Sequence, residues 1–236
     1  MNFATAFTPE RLQEAWNCLL NEFPFAVWET LYSTLLATFF ALVIGLPLGI
    51  ILVTGEQKGI RPLPRGLMSF LNILINLLRS VPFIILMVMI IPLTRVIVGT
   101  SVGTVASIVP LTIAAFPFIA RLVESSLREV NPNIIETAQS MGATPMQIVL
   151  HAMLPESVPS LITNITLAIT TIMGYTAMSG AVGGGGLGKL ALQYGYQRYR
   201  YAVLYLAVIV LVIITQVIQS FGTWLARKCD KRLRNK

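Results

Sequence analysis

Glu136, Gly142 and the Leu154-Pro155 pair are the residues whose types and spacing carry the most specific chemistry, and it is the chemistry of contact between proteins. They lie in Asn131–Ile162, NPNIIETAQSMGATPMQIVLHAMLPESVPSLI, the longest polar interruption between apolar runs. Asn131 can cap a short helix, Pro132 suits its first turn, and Glu136 is expected near its positive end. Gly142 is a natural left-handed stop, Thr144-Pro145 restarts a helix, and Leu154-Pro155 is expected to close it. A helix-glycine-helix block of this kind is a rigid knuckle that another protein can grip. The plainer alternative is a helical loop joining two membrane spans.

A second stretch, GAVGGGGLGKL, invites a nucleotide reading. Gly183, Gly185 and Gly188 satisfy G-x-G-x-x-G, and Gly183–Lys189 nearly completes a P-loop. The P-loop fails at Leu190, where Ser or Thr should reach Mg²⁺, and an apolar run stands where the preceding strand is required. Gly183, Gly184, Gly185 and Gly186 fit better as a tightly turning loop at the outer mouth of a pore. His151 lies in the knuckle without a nucleophile or metal-ligand partner, and neither an enzyme nor a metal site nor a bound cofactor is expected. Cys18 and Cys229 stand near opposite ends and suggest no disulfide framework.

The elements that position these residues belong to a membrane. The chain is 55% apolar and 11% charged, with mean hydropathy +0.75, and uncharged runs long enough to cross about 30 Å of hydrocarbon recur along it. The expected fold is all-α and polytopic, with five transmembrane helices and no sizeable soluble domain. The net charge of +7 does not indicate nucleic acid, because the basic residues are split among loops.

Residues 1–25 have no positively charged start before an apolar core, so they do not read as a cleavable signal. Leu12, Trp16, Leu19, Leu20 and Phe23 recur at helical spacing, as in a periplasmic or interfacial helix. The five-span domain covers residues 26–225. Its spans run roughly over Ala26–Val53, Gly66–Pro92, Val105–Leu122, Val158–Ser179 and Tyr201–Leu225, with the knuckle at 131–156 between the third and fourth. In the first span Gly45, Pro47 and Gly49 favour close packing and a bend. Arg79 either marks a functional charge in the second span or ends one helical segment, with Ser80-Val81-Pro82 opening the next. A short loop with Arg95 follows. Hydroxyls of the fourth span are expected to bond back to their own helix. Residues 226–236 form a basic tail.

Orientation follows from Lys and Arg. The first loop, the knuckle region and the tail hold 3, 2 and 6, against 5 in the opposite regions. That split predicts the N-terminus outside and the C-terminus and knuckle in the cytoplasm.

The knuckle resembles the EAA motif of ABC-importer permeases, E-A-A-x3-G-x9-I-x-L-P. Glu136, Ala138, Gly142, Leu154 and Pro155 fall at the family's spacing, while Thr137 and Ala152 replace its second Ala and its Ile. RSVPFIIL, IPLTRVIVGTS, IVPLTIAAFPFIARLVE, MGATPMQIV and GYTAMSGAVGGGGLG extend the likeness. Together they resemble the permeases of methionine-uptake ABC importers, over nearly all the chain beyond the first twenty-odd residues. The resemblance implies a homodimeric permease in a bacterial inner membrane, paired with two copies of an ABC ATPase and a periplasmic substrate-binding lipoprotein. It implies no catalysis by this subunit, ATP hydrolysis belonging to its partner. Glu136, Thr137, Ala138, Gly142, Ala143, Leu154 and Pro155 would dock the ATPase, and Met173 and Tyr175 would lie on the substrate path. Another amino acid or an osmolyte is the alternative substrate. A secondary transporter working without an ATPase would need internal repeats or paired membrane charges; the sequence shows no repeat, and Arg79 is its only clear membrane charge.

Overall fold

The computed structural model describes residues 9–230, so the first eight residues and Lys231–Lys236 of the basic tail lie outside the described residues. Every element described is helical. The first are α1 (Pro9–Asn21), α2 (Phe23–Thr54), α3 (Arg65–Ser80), α4 (Phe83–Met89), α5 (Ile91–Val98) and α6 (Thr104–Arg128). The knuckle is α7 (Pro132–Ser140) and α8 (Pro145–Ile148), and α9 (Leu154–Ser179) follows after a π-type turn at Val149–Met153. A short 3₁₀ turn at Gly180–Val182 leads to α10 (Gly186–Lys189), a second π-type stretch at Leu190–Gln197 and α11 (Tyr201–Cys229).

Among the described residues, four helical stretches are long and apolar enough to cross a membrane: Phe23–Thr54, Thr104–Arg128, Pro145–Val182 and Tyr201–Cys229. The remaining passage is α3 with α4, bent by 103° across their break. Counting that pair as one gives the five expected, but the second is not the single helix the hydropathy suggests. Pro82 explains the break. It cannot donate to the helix ladder, and it forces Val81 into the extended conformation found there (φ −78°, ψ 124°). Arg79 therefore ends a helical segment, exposed in its last turn. The stretch around Arg95, expected as loop, is α5, closed by Gly99 at φ +82°.

The described residues divide into two compact units. One takes in the chain up to Thr38, with Pro82–Ile113 and Ile169–Ile218. Its core joins Phe23 and Ala26 of α2 to Leu187, Leu190, Ala202, Val203 and Ala207, with Cys18 of α1 packed against them. Trp16 and Leu20 of α1 point outward, as on an interfacial helix.

The other unit comprises Phe39–Val81, Ala114–Ala168 and the chain from Gln219. Here α2 lies against α6 so closely that a Cβ at Gly49 would stand 2.6 Å from that of Val123 and 2.7 Å from the Ala120 carbonyl. Only glycine permits that approach, as the small residues of the first span foretold.

Candidate docking knuckle and glycine-rich segment

Each half of the knuckle is built by local chemistry. The Asn131 side chain accepts the Asn133 amide at 3.0 Å and caps α7, with Pro132 as the first helical residue. At the other end Gly142 takes φ +78°. Its amide donates to the Gln139 carbonyl at 2.9 Å, and the Ala143 amide reaches back to that of Ala138 at 3.1 Å. These two bonds form a Schellman motif, which requires a left-handed residue at the position Gly142 holds. Thr144 and Gln147 then form a reciprocal capping box, with the Thr144 amide donating to Gln147 Oε1 at 2.8 Å.

Two expectations need correction. Glu136 does not lie in the first turn of α7, where the helix dipole is felt; it sits beyond that turn, exposed. Its carboxylate makes no ion pair among the described residues. Leu154-Pro155 does not close the second helix either. The helix continues from Pro145 into the fourth span, because the turn at Val149–Met153 widens and the Leu154 amide bonds five residues back, to Val149. Widening relieves the crowding that Pro155 would otherwise impose on the preceding turn.

The knuckle presents itself outward. Nothing in α7 is buried, and Met141 and Met146 are 83% and 68% exposed, with Leu150 also exposed. Ile148, Val149 and Met153 are buried and root the block in its unit. Thr137 donates to the Asn133 carbonyl at 2.7 Å, a bond within α7 that accommodates its replacement of the motif's Ala. His151 is exposed, with Nδ1 3.3 Å from the Gln147 carbonyl.

Upstream, the same unit holds a charge network that sequence reasoning missed. Glu124 is 8% exposed and receives Arg121 at 2.7 Å and Arg128 at 2.8 Å. Arg121 also donates to Asn72 at 2.8 Å and Asn76 at 3.1 Å on α3. Arg128 grips Glu56 with both terminal nitrogens, at 2.5 and 3.2 Å. Arg128's hydrogen bond holds the Glu56 carboxyl below its ordinary range. The i,i+3 and i,i+4 spacing of Arg121, Glu124 and Arg128 is the signal that was available.

In the first unit the glycine-rich segment is bound rather than open. The amide of Gly184 donates to the Ser179 carbonyl at 2.9 Å, and that of Gly103 to the Gly183 carbonyl at 2.8 Å. Gly186 donates to Glu29 at 2.8 Å and Leu187 to Thr30 at 2.9 Å. A phosphate cradle needs free amides and no adjacent carboxylate; here the Gly184, Gly186 and Leu187 amides are already bonded and Glu29 stands beside them. Gly183 and Gly186 have φ of +96° and +76°. Of the two residues expected on a substrate path, Met173 is buried and receives the Thr215 hydroxyl at 3.3 Å. Tyr175 is half-buried and stacks on Phe83, with ring centroids 4.8 Å apart.

Comparison with known proteins gives consistent matches. Residues 45–235 match the family model described as the binding-protein-dependent transport system inner membrane component. A relative from Vibrio cholerae, named a probable D-methionine transport system permease protein MetI, is 47% identical over 210 residues, covering 88% of this chain and 92% of its own. A protein of the same name from Pasteurella multocida is 49% identical over 205 residues, covering 86% and 94%. Among solved structures, a chain of the methionine ABC transporter MetNI, described in inward-facing conformations, superposes with a TM-score of 0.85. It is 47% identical over 87% of this chain and 95% of its own.

Proposed function

The chain belongs to the family of binding-protein-dependent transport system inner membrane components, and on that premise we propose that it is the permease subunit of an ATP-driven methionine importer. The substrate includes both enantiomers and some derivatives. Two copies of the chain pair with two ABC ATPase subunits and a periplasmic binding lipoprotein. The N-terminus faces outward and the tail beyond Ala226 faces the cytoplasm, with the knuckle at 131–156 on the same side. The permease itself makes and breaks no covalent bond, and hydrolysis belongs to the ATPase.

The observation that carries this reading is the knuckle's construction: an exposed apolar surface at Met141, Met146 and Leu150, continuous through one helix with the fourth span. ATP-driven closure of the ATPase dimer moves its grooves, and a knuckle seated there moves with them. Since helix connects Met146 to α9 without a break, displacement passes into the span rather than being absorbed in a loop. Schellman and capping-box bonds keep the turn between α7 and α8 stiff. Alternating access then follows from switching between two packed arrangements. Glu136, Thr137, Ala138, Gly142, Ala143, Leu154 and Pro155 form or position the docking surface. Gly183–Gly186 form the outer gate, with Met173 and Tyr175 on the substrate path.

The test is co-purification with the ATPase and binding protein, followed by uptake in vesicles of labelled L- and D-methionine beside an unrelated amino acid. ATP-dependent accumulation of methionine alone is the expected result. Uptake indifferent to ATP would discard the importer reading, and preference for the other amino acid would discard the substrate.

A further inference from the structure

Glu29 is the single charged residue in the 32-residue helix α2, and both its oxygens are engaged. Oε1 accepts the Thr104 hydroxyl at 2.6 Å and Oε2 accepts the Gly186 amide at 2.8 Å. Next to it, Thr30 accepts the Leu187 amide while donating to the Ala26 carbonyl, each at 2.9 Å. Two successive residues of α2 thus cap two successive amides of the helical turn that opens at Gly186. The glycines make the grip possible. A Cβ at Gly185 would run into the Thr104 hydroxyl and stand 2.8 Å from a Glu29 oxygen.

Static packing does not call for a charge here. Glu29 makes no ion pair among the described residues. A neutral Gln would accept the same amide with its oxygen and turn its NH₂ to the Thr104 hydroxyl oxygen, at a smaller desolvation cost. What a carboxylate adds is strong hydration once the contact opens, which brings the held and released arrangements closer in free energy. A gate that must switch needs such a balance.

We propose that Glu29 is a positioning residue for transport: it latches the glycine-rich segment through Gly186 and Thr104, and releases it in each turnover. The inference rests on the reading of the chain as an alternating-access permease.

The test uses the full complex in vesicles, comparing the parent with Glu29→Ala, Thr104→Val and Thr104→Ser, and with Thr223→Val as a control whose hydroxyl bonds to Gln219 within its own helix. Two quantities are read: amide hydrogen exchange of residues 183–197, with and without ATP and binding protein, and substrate moved per ATP hydrolysed. In the parent, ATP with binding protein should raise exchange in the segment. Glu29→Ala and Thr104→Val should raise it without ATP by on the order of tenfold, as for a lost hydrogen bond to a charged group, and should lower transport per ATP several-fold. Thr104→Ser should restore both, and Thr223→Val should change neither. A loosened segment with parental transport per ATP would make Glu29 a purely structural cap and overturn the proposal. So would exchange that does not respond to ATP in the parent. A parent complex that moves no methionine would instead overturn the substrate reading, leaving the exchange response to decide the latch.

Discussion

The Ala143 amide donates to the Ala138 carbonyl at 3.1 Å across the Gly142 turn, so the motif's third residue and the residue after its glycine are bonded directly. The fixed spacing of the motif is the spacing this bond requires.

Gly142 has φ +78° and open space where a Cβ would go. A substitution there therefore reports backbone conformation alone. Gly142→Val should cost about 1–2 kcal/mol locally, while Gly142→Asn, which tolerates the left-handed region, should cost less. Both should insert normally. ATPase activity stimulated by the binding protein should fall for Val and survive for Asn, and equal activity in the two would show that the turn is not needed.

Exposed and without an ion pair among the described residues, Glu136 is available to a partner. Glu136→Lys should leave thermal stability unchanged within about 0.5 kcal/mol, as for ordinary surface positions. It should lower co-purification of the ATPase by tens of fold, roughly the effect of losing a charged interfacial pair. Glu22→Lys, outside the knuckle, should leave both stability and ATPase co-purification unchanged. Parental ATPase binding by Glu136→Lys would remove Glu136 from the docking surface.

Because Glu124 is buried against two arginines, truncating it leaves half-buried Arg121 without its carboxylate, while Arg128 keeps Glu56. Glu124→Ala should destabilise the permease by about 3–5 kcal/mol in detergent melts, and an Arg121→Met, Glu124→Leu double variant should recover part of the loss. The Glu56–Arg128 pair adds a pH signature. The folded carboxyl of Glu56 titrates below its unfolded value. Its contribution is thus full at neutral pH and is lost only as pH falls below the ordinary carboxylate range. Glu56→Gln should flatten that acid limb of the stability profile.

Cys18 and Cys229 are both free and report topology. An impermeant maleimide should reach Cys229 only from the cytoplasmic side and Cys18 only from outside. Burial first, then the neighbouring Glu22, raises the Cys18 thiol above its ordinary pKa against the opposing pull of Arg200. Its labelling should therefore be slow at neutral pH and accelerate as pH rises. Labelling of Cys229 from outside would reverse the orientation.

Residue types and spacing by themselves determined the helical membrane architecture, because hydrocarbon thickness sets a length that apolar runs either meet or miss. They also determined the knuckle, whose caps and turn are bonds among near neighbours: Asn131 to Asn133, Thr144 to Gln147, Ala143 to Ala138. The tertiary structure decided what depends on distant partners or on the path of a helix. Pro155 has the look of a stop, yet whether a proline ends a helix depends on whether the turn before it can widen, as Val149–Met153 does. Glu29 passes as one polar residue in an apolar run until folding brings Gly186, 157 residues along the chain, to its carboxylate. A hydrogen bond between residues so far apart leaves no periodic trace in the sequence, since its geometry is set by the packing of helices rather than by the repeat of any one of them.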